Sequence, residues 1–209
     1  MRCDIVRYHV TLYKNQATMT ATQKKTTYSV AEYLHLERRT GERYEFYNGK
    51  ISRMAGGTIA HNRITRNILG LLYNITLNRK ELEIFASDQK IYLPKYHWYV
   101  YPDAVVVAGV PIESEEEASA IINPILIVEV LSPSTMDYDR NQKFLEYQSL
   151  PSFQEYVLVR QDAPEALLAF REEPDLWRSS ETAGLDADIV LRSIGASLPM
   201  KDVYAKVEF

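Results

Sequence analysis

Two carboxylates stand inside apolar runs of this 209-residue chain, and a lysine follows them. Asp103 lies in WYVYPDAVVVAG, directly behind Pro102, and Glu129 interrupts ILIVEVL. An ionised carboxylate in a covered strand is costly unless it is paired or binds a cation. If the two runs are neighbouring strands, the two acids stand side by side and repel. A divalent ion that keeps open water positions relieves that repulsion, and carboxylate oxygens suit Mg2+ or Mn2+. Asp139 and Lys143 come next, four residues apart and therefore on one face of a helix. Ser132-Pro133-Ser134 turns the chain and brings the start of that helix over the end of the Glu129 strand. Two acids, a metal and an ammonium are equipped to hydrolyse a phosphate ester. The metal polarises the phosphate and acidifies a water, while the ammonium meets charge developing on the phosphate. The residues alone leave a second reading open: Asp103 as the cap of a bend after Pro102, and Glu129 with Lys143 as a structural ion pair.

Several elements must position these groups. Ser29 followed by Glu32 is a capping-box pattern and opens a short helix to about residue 37. YEFYNGKIS places Asn48-Gly49 between two short runs, a strong hairpin signal. Ile64, Ile68, Leu71, Leu72 and Ile75 share one face of a helix expected over residues 59–78. Strands are expected over 83–94 and 98–108, joined by a turn near 95–97. An acidic loop, 109–122, carries Glu113, Glu115, Glu116 and Glu117. Residues 125–131 are almost continuously apolar, as in a strand covered on both faces. A helix over 135–150 and a strand over 155–160 follow. Shorter strands are expected at 167–171, 176–180 and 188–192, with a closing helix over 198–206. The order predicts an α/β fold with a central mixed β-sheet flanked by helices. Residues 1–25 are polar and lack periodicity, so a poorly ordered extension is expected there, with a single domain over 26–209.

Composition narrows the setting. Hydrophobic residues at 46% and charged ones at 25% fit a soluble globular chain. No apolar run is long enough for a transmembrane helix, so no membrane partner is expected. The single cysteine, Cys3, excludes an internal disulfide and a cysteine-built zinc site, and a cytoplasmic location is expected. The net charge is −4, yet residues 1–25 carry five cations against Asp4, which leaves −8 on the rest. Global charge therefore does not attract nucleic acid. Binding DNA would need a local basic groove or a metal ion.

From Tyr28 to its end the chain resembles the Uma2 family of restriction-type endonucleases. The stretches that carry the likeness are YSVAEYLHLE, RYEFYNGKISRMAGGTIAHNRI, YPDAVVV, NPILIVEVLSPST, DRNQKFLEYQSLPSFQEYVLV and SLPMKDVYAKV. EVLSPST followed by D-x-x-x-K is the most specific of them. The resemblance implies a restriction-endonuclease-like PD-(D/E)XK fold, a Mg2+ or Mn2+ cofactor, and hydrolysis of phosphodiesters in DNA. By the same resemblance Asp103 is the PD aspartate and Glu129 the acid of the next half-motif. Leu131 stands where the usual lysine would be, and Lys143 takes that role from the following helix. Glu45 matches an N-terminal glutamate that completes the metal site, and the Val130 carbonyl adds a ligand. His61 and Asp88 lie at family positions able to reach substrate; the first also suits a helix N-terminal contact, and the second also suits solvent. Tyr147, one turn beyond Lys143, reads as core or wall. Cutting both strands with one small site calls for a homodimer. Two other readings stay open: a catalytically silent nuclease-fold module for binding or assembly, and a phosphatase acting on small esters.

Overall fold

The computed structural model describes residues 27–117, 119–131 and 138–209. The expected extension, residues 1–25, and the turn Ser132-Pro133-Ser134 lie outside these. Ser29 caps the first helix, α1 (Val30–Thr40). The Glu32 N–H donates to the Ser29 hydroxyl, and the Ser29 N–H donates back to the Glu32 carboxylate. Gly41, at φ 68°, ends the helix in the left-handed region. Strands β1 (Tyr44–Tyr47) and β2 (Lys50–Arg53) form the expected hairpin. Asn48 and Gly49 both take positive φ, which a two-residue I′ turn requires. Helix α2 (Ile59–Thr76) buries Ile64, Ile68 and Leu72.

The two runs expected as long strands each break in the middle. The first gives β3 (Leu82–Ala86) and β4 (Lys90–Leu93); the second gives β5 (Trp98–Val100) and β6 (Ala104–Ala108). β4 pairs with β5 and β3 with β6, but the two pairs belong to different sheets. One bent hairpin therefore feeds both sheets. The bend on the second run falls at Pro102, which has no N–H for a ladder and a fixed φ.

With β7 (Ala120–Ile121), the first sheet has the order β2-β1-β5-β4-β7. The second contains β8 (Pro124–Leu131), β9 (Glu155–Arg160), β10 (Glu165–Glu173) and β11 (Leu176–Ala183), in the order β11-β10-β9-β8-β6-β3. β4 runs parallel to β7, and β8 to β9, so both sheets are mixed. The fold is mixed α/β as expected, with the central strands divided between two sheets. Two other expectations change. Of the helix expected over 135–150, residues 135–137 lie outside the described residues; beyond them a π-helical turn spans Tyr138–Lys143 and a short α3 spans Phe144–Tyr147. The closing helix shortens to α4 (Met200–Val203), preceded by the hairpin β12 (Asp188–Leu191) and β13 (Ala196–Pro199).

Strand alternation sorts side chains into three apolar layers. Tyr33 and Leu34 of α1 pack on Phe46, Tyr92 and Tyr99 of the first sheet. The opposite face of that sheet, through Ile91, Leu93, Trp98 and Val100, meets Val105, Ile127, Leu131 and Leu158 of the second. The far face of the second sheet, through Val106, Leu126, Val128 and Val157, packs on α2 and the C-terminal hairpin. Among the described residues no helix is long and apolar enough to cross a membrane. Ile127 is fully buried between the sheets. Ile127→Ala is expected to cost about 2–5 kcal/mol, seen as a lower urea midpoint at unchanged slope. A midpoint close to that of the parent protein would contradict packing of the sheets through this strand.

Candidate active site

Glu45 and Glu129 come from opposite sheets. On β1, Phe46 points to the α1 layer, so Glu45 and Tyr47 point the other way, between the sheets. On β8, Glu129 shares the face of Ile127 and Leu131 and points into the same space. The Lys143 ammonium stands between them, 2.9 Å from Glu45 Oε1 and 3.2 Å from Glu129 Oε1. Glu129 and Lys143 are only 5% and 6% exposed, which puts these charges away from bulk solvent. The Tyr147 hydroxyl donates to the same Glu129 Oε1 at 3.3 Å. Burial, reinforced by the Glu129 charge, holds the Tyr147 phenol well above its ordinary pKa, so it stays a donor. Its ring packs against Phe153 and Tyr156. Tyr147 is therefore a core residue whose hydroxyl bonds Glu129; its aromatic type and spacing from Lys143 disclose the first property alone. Lys143 closes the π-helical turn.

Asp103 sits at the bend, just before β6. Its Oδ2 accepts the Val130 N–H at 2.7 Å and lies 3.3 Å from His61 Nε2. The ladder register explains the first contact. Ala104 faces Val128, so the same register carried two residues further would set Pro102 opposite Val130. Gln154 N–H donates to the Ile125 carbonyl, which directs odd-numbered β8 residues to the β9 side and even-numbered ones to the β6 side. Val130 therefore offers both its N–H and its carbonyl toward the bend. Asp103 takes the N–H. Pro102 has no N–H to give the carbonyl.

His61 reaches Asp103 from the first turn of α2. Its N–H donates to the capping Thr58 hydroxyl, and that hydroxyl donates to Gln161 at 2.6 Å, just past the end of β9. A Cβ on Gly57 would lie 2.7 Å from His61 Nδ1. The glycine thus makes room for the imidazole, a role that MAGGT in the sequence did not announce. Asp88, by contrast, is in the turn between β3 and β4 rather than mid-strand. It is largely exposed and pairs with Arg43 at 2.5 Å.

The structure thus brings Glu45, Asp103, Glu129, Val130, Lys143 and His61 to one bend and leaves Asp88 apart. The donors are carboxylate and carbonyl oxygens, the chemistry a hard divalent ion takes. Among the described residues, however, no three histidine, cysteine or acidic side chains gather closely enough to hold one ion. The Lys143 ammonium stands between two of the acids, and Asp103 is engaged by His61 and Val130. Protein groups supply the positive charge that the paired carboxylates demand.

A family model described as "Uma2: Putative restriction endonuclease" matches residues 30–201. The chain is similar to two proteins of Synechocystis sp., both described as uncharacterized. It is 36% identical to sll1609 over 77% of this chain and 90% of the relative. It is 34% identical to slr1290 over 87% of this chain and 93% of that one. In fold it is similar to a "putative nuclease belonging to DUF820" from Anabaena variabilis. The TM-score is 0.65 and the identity 17%, covering 79% of this chain and 92% of the other.

Removing the Lys143 charge leaves two poorly solvated carboxylates facing each other. Lys143→Met is expected to destabilise the protein by about 3–5 kcal/mol in EDTA, measured by urea unfolding. Tyr147→Phe, which keeps the ring packing, is expected to cost about 1 kcal/mol in the same measurement. Equal stability of Lys143→Met and the parent would contradict a charge-bridged pair.

Proposed function

The chain belongs to the Uma2 family of restriction-endonuclease-like proteins, and from that premise we propose a divalent-metal-dependent endonuclease that hydrolyses phosphodiester bonds in DNA. The observation that carries the reading is the meeting of Glu45, Glu129 and Lys143 between the two sheets, beside Asp103. The carboxylates of Glu45, Asp103 and Glu129 and the Val130 carbonyl would hold Mg2+ or Mn2+. That ion, when bound, acidifies a water and polarises the phosphate. Lys143, in contact with both glutamates, would contribute an ammonium suited to orient the attacking water and to meet charge on the phosphate oxygens. Tyr147 would steady Glu129 through its hydroxyl. The Val130 N–H and His61 orient Asp103, and His61, only partly buried, is the side chain best placed to meet a substrate phosphate. Double-strand cutting would need two such sites, hence two copies of the chain.

One observation favours a second reading. The lysine already satisfies both glutamates, and the described residues gather no three-ligand cluster. A catalytically silent module for binding or assembly would keep that arrangement as a structural bridge. Mn2+ titration separates the two. A nuclease binds Mn2+ and loses it in Asp103→Asn, whereas a silent module does neither. Incubation with Mn2+ and supercoiled, linear or single-stranded DNA is expected to give cleavage. Lys143→Ala is expected to slow it by about a hundredfold or more. No cutting of any of the three substrates, with Lys143→Ala indistinguishable from the parent, would rule the nuclease reading out.

A further inference from the structure

A second buried ion pair lies on the other side of the first sheet, and nothing in the proposed chemistry uses it. Glu37, in the last turn of α1, has one oxygen 2.6 Å from the Lys90 ammonium. Both side chains are nearly buried, 10% and 7% exposed. Lys90 also lies 5.5 Å from the ring centre of Tyr33 and 5.8 Å from those of Tyr99 and Tyr101. The rings add a favourable cation–π environment and exclude water. The other Glu37 oxygen accepts two hydrogen bonds. One comes from the Tyr44 N–H at 3.1 Å and one from the Tyr101 hydroxyl at 2.8 Å.

The positions of those two donors matter. Tyr44 immediately precedes Glu45. Tyr101 stands two residues before Asp103. β1 and β5 pair at Phe46 and Tyr99, and the same antiparallel register carried two residues outward would oppose Tyr44 and Tyr101. The two strands pair at Phe46–Tyr99 alone. At the place where the ladder would have continued, the Glu37 carboxylate bridges the two tyrosines. It acts as a wedge at the point where the strands bearing Glu45 and Asp103 diverge.

We propose that Glu37 is a positioning residue that fixes the spacing of the Glu45 and Asp103 segments, with Lys90 holding its charge in the interior. The metal arm of this proposal rests on the nuclease reading above. Two of the proposed ligands then depend on one carboxylate of α1, on the far side of the sheet from the site. Lys90 supplies charge balance, and the bonds to Tyr44 and Tyr101 supply the geometry.

Two double variants separate geometry from charge. Glu37→Gln/Lys90→Met removes both charges and keeps an acceptor for Tyr44 and Tyr101. Glu37→Met/Lys90→Met has nearly the same volume and loses that acceptor. Mn2+ binding by calorimetry, well below the unfolding temperature of each protein, is expected to stay within about threefold of the parent in the first. It is expected to weaken by about tenfold or more in the second. Equal affinities in the two doubles would overturn the proposal. If Glu37→Met/Lys90→Met does not fold, Tyr101→Phe decides, since it removes one bridging donor; parental Mn2+ affinity in that variant overturns the proposal. If the parent binds no Mn2+, the metal reading falls on its own, and crystal structures of the folded variants decide instead. An intact Lys143–Glu45 contact without the Glu37 acceptor would then overturn the positioning role.

Discussion

One ammonium between two carboxylates holds the centre of this molecule. Glu45 belongs to one sheet and Glu129 to the other, and Lys143 touches both. Like charges facing each other across a poorly solvated gap repel strongly, so the two sheets can close there only if a cation stands between them. The lysine meets that demand with protein alone. The proposed metal centre would meet the same demand with a divalent ion in place of the ammonium. A structural bridge and the proposed catalytic site would be two uses of one electrostatic requirement.

The geometry around that bridge follows from a backbone break. A single hairpin supplies strands to both sheets, and it must bend where they part. Pro102 sits at the bend because a proline cannot serve a central ladder. Its missing N–H leaves the Val130 carbonyl without the donor that the register would have provided. Asp103, the next residue, takes the Val130 N–H at 2.7 Å. The aspartate and the carbonyl therefore arrive together for one reason. Beyond the bend, Glu37 bridges Tyr44 and Tyr101 and so spans the two segments that lead into the site.

Local signals in the chain were legible. The Ser29–Glu32 box, the Asn48-Gly49 turn and the apolar face of α2 all read from neighbours a few residues apart. ILIVEVL read as a covered strand because its burial on both faces is written into its composition, and Glu129 stood out against it. The division of 83–94 and 98–108 between two sheets was not legible. Polar residues 87–90 interrupt the first run and Pro102-Asp103 the second, so the breaks are marked locally, but nothing local says that the pieces join different sheets. The π-helical turn ending at Lys143 escaped because i→i+4 and i→i+5 windings share nearly the same composition. Tyr147 looked like core because its ring is core; only the fold shows its hydroxyl on Glu129. The Glu37–Lys90 pair joins residues 53 apart, and each charge has polar or charged neighbours along the chain that suggest solvent.

Manganese placed directly in the molecule would decide between bridge and metal centre. A crystal grown in Mn2+ and measured at the manganese absorption edge should show one anomalous peak. Oxygens of Glu45, Asp103, Glu129 and Val130 should lie about 2.0–2.6 Å from it. Lys143 still bonded to both glutamates, with no peak between the sheets, would contradict the metal centre and leave the ion pair as architecture.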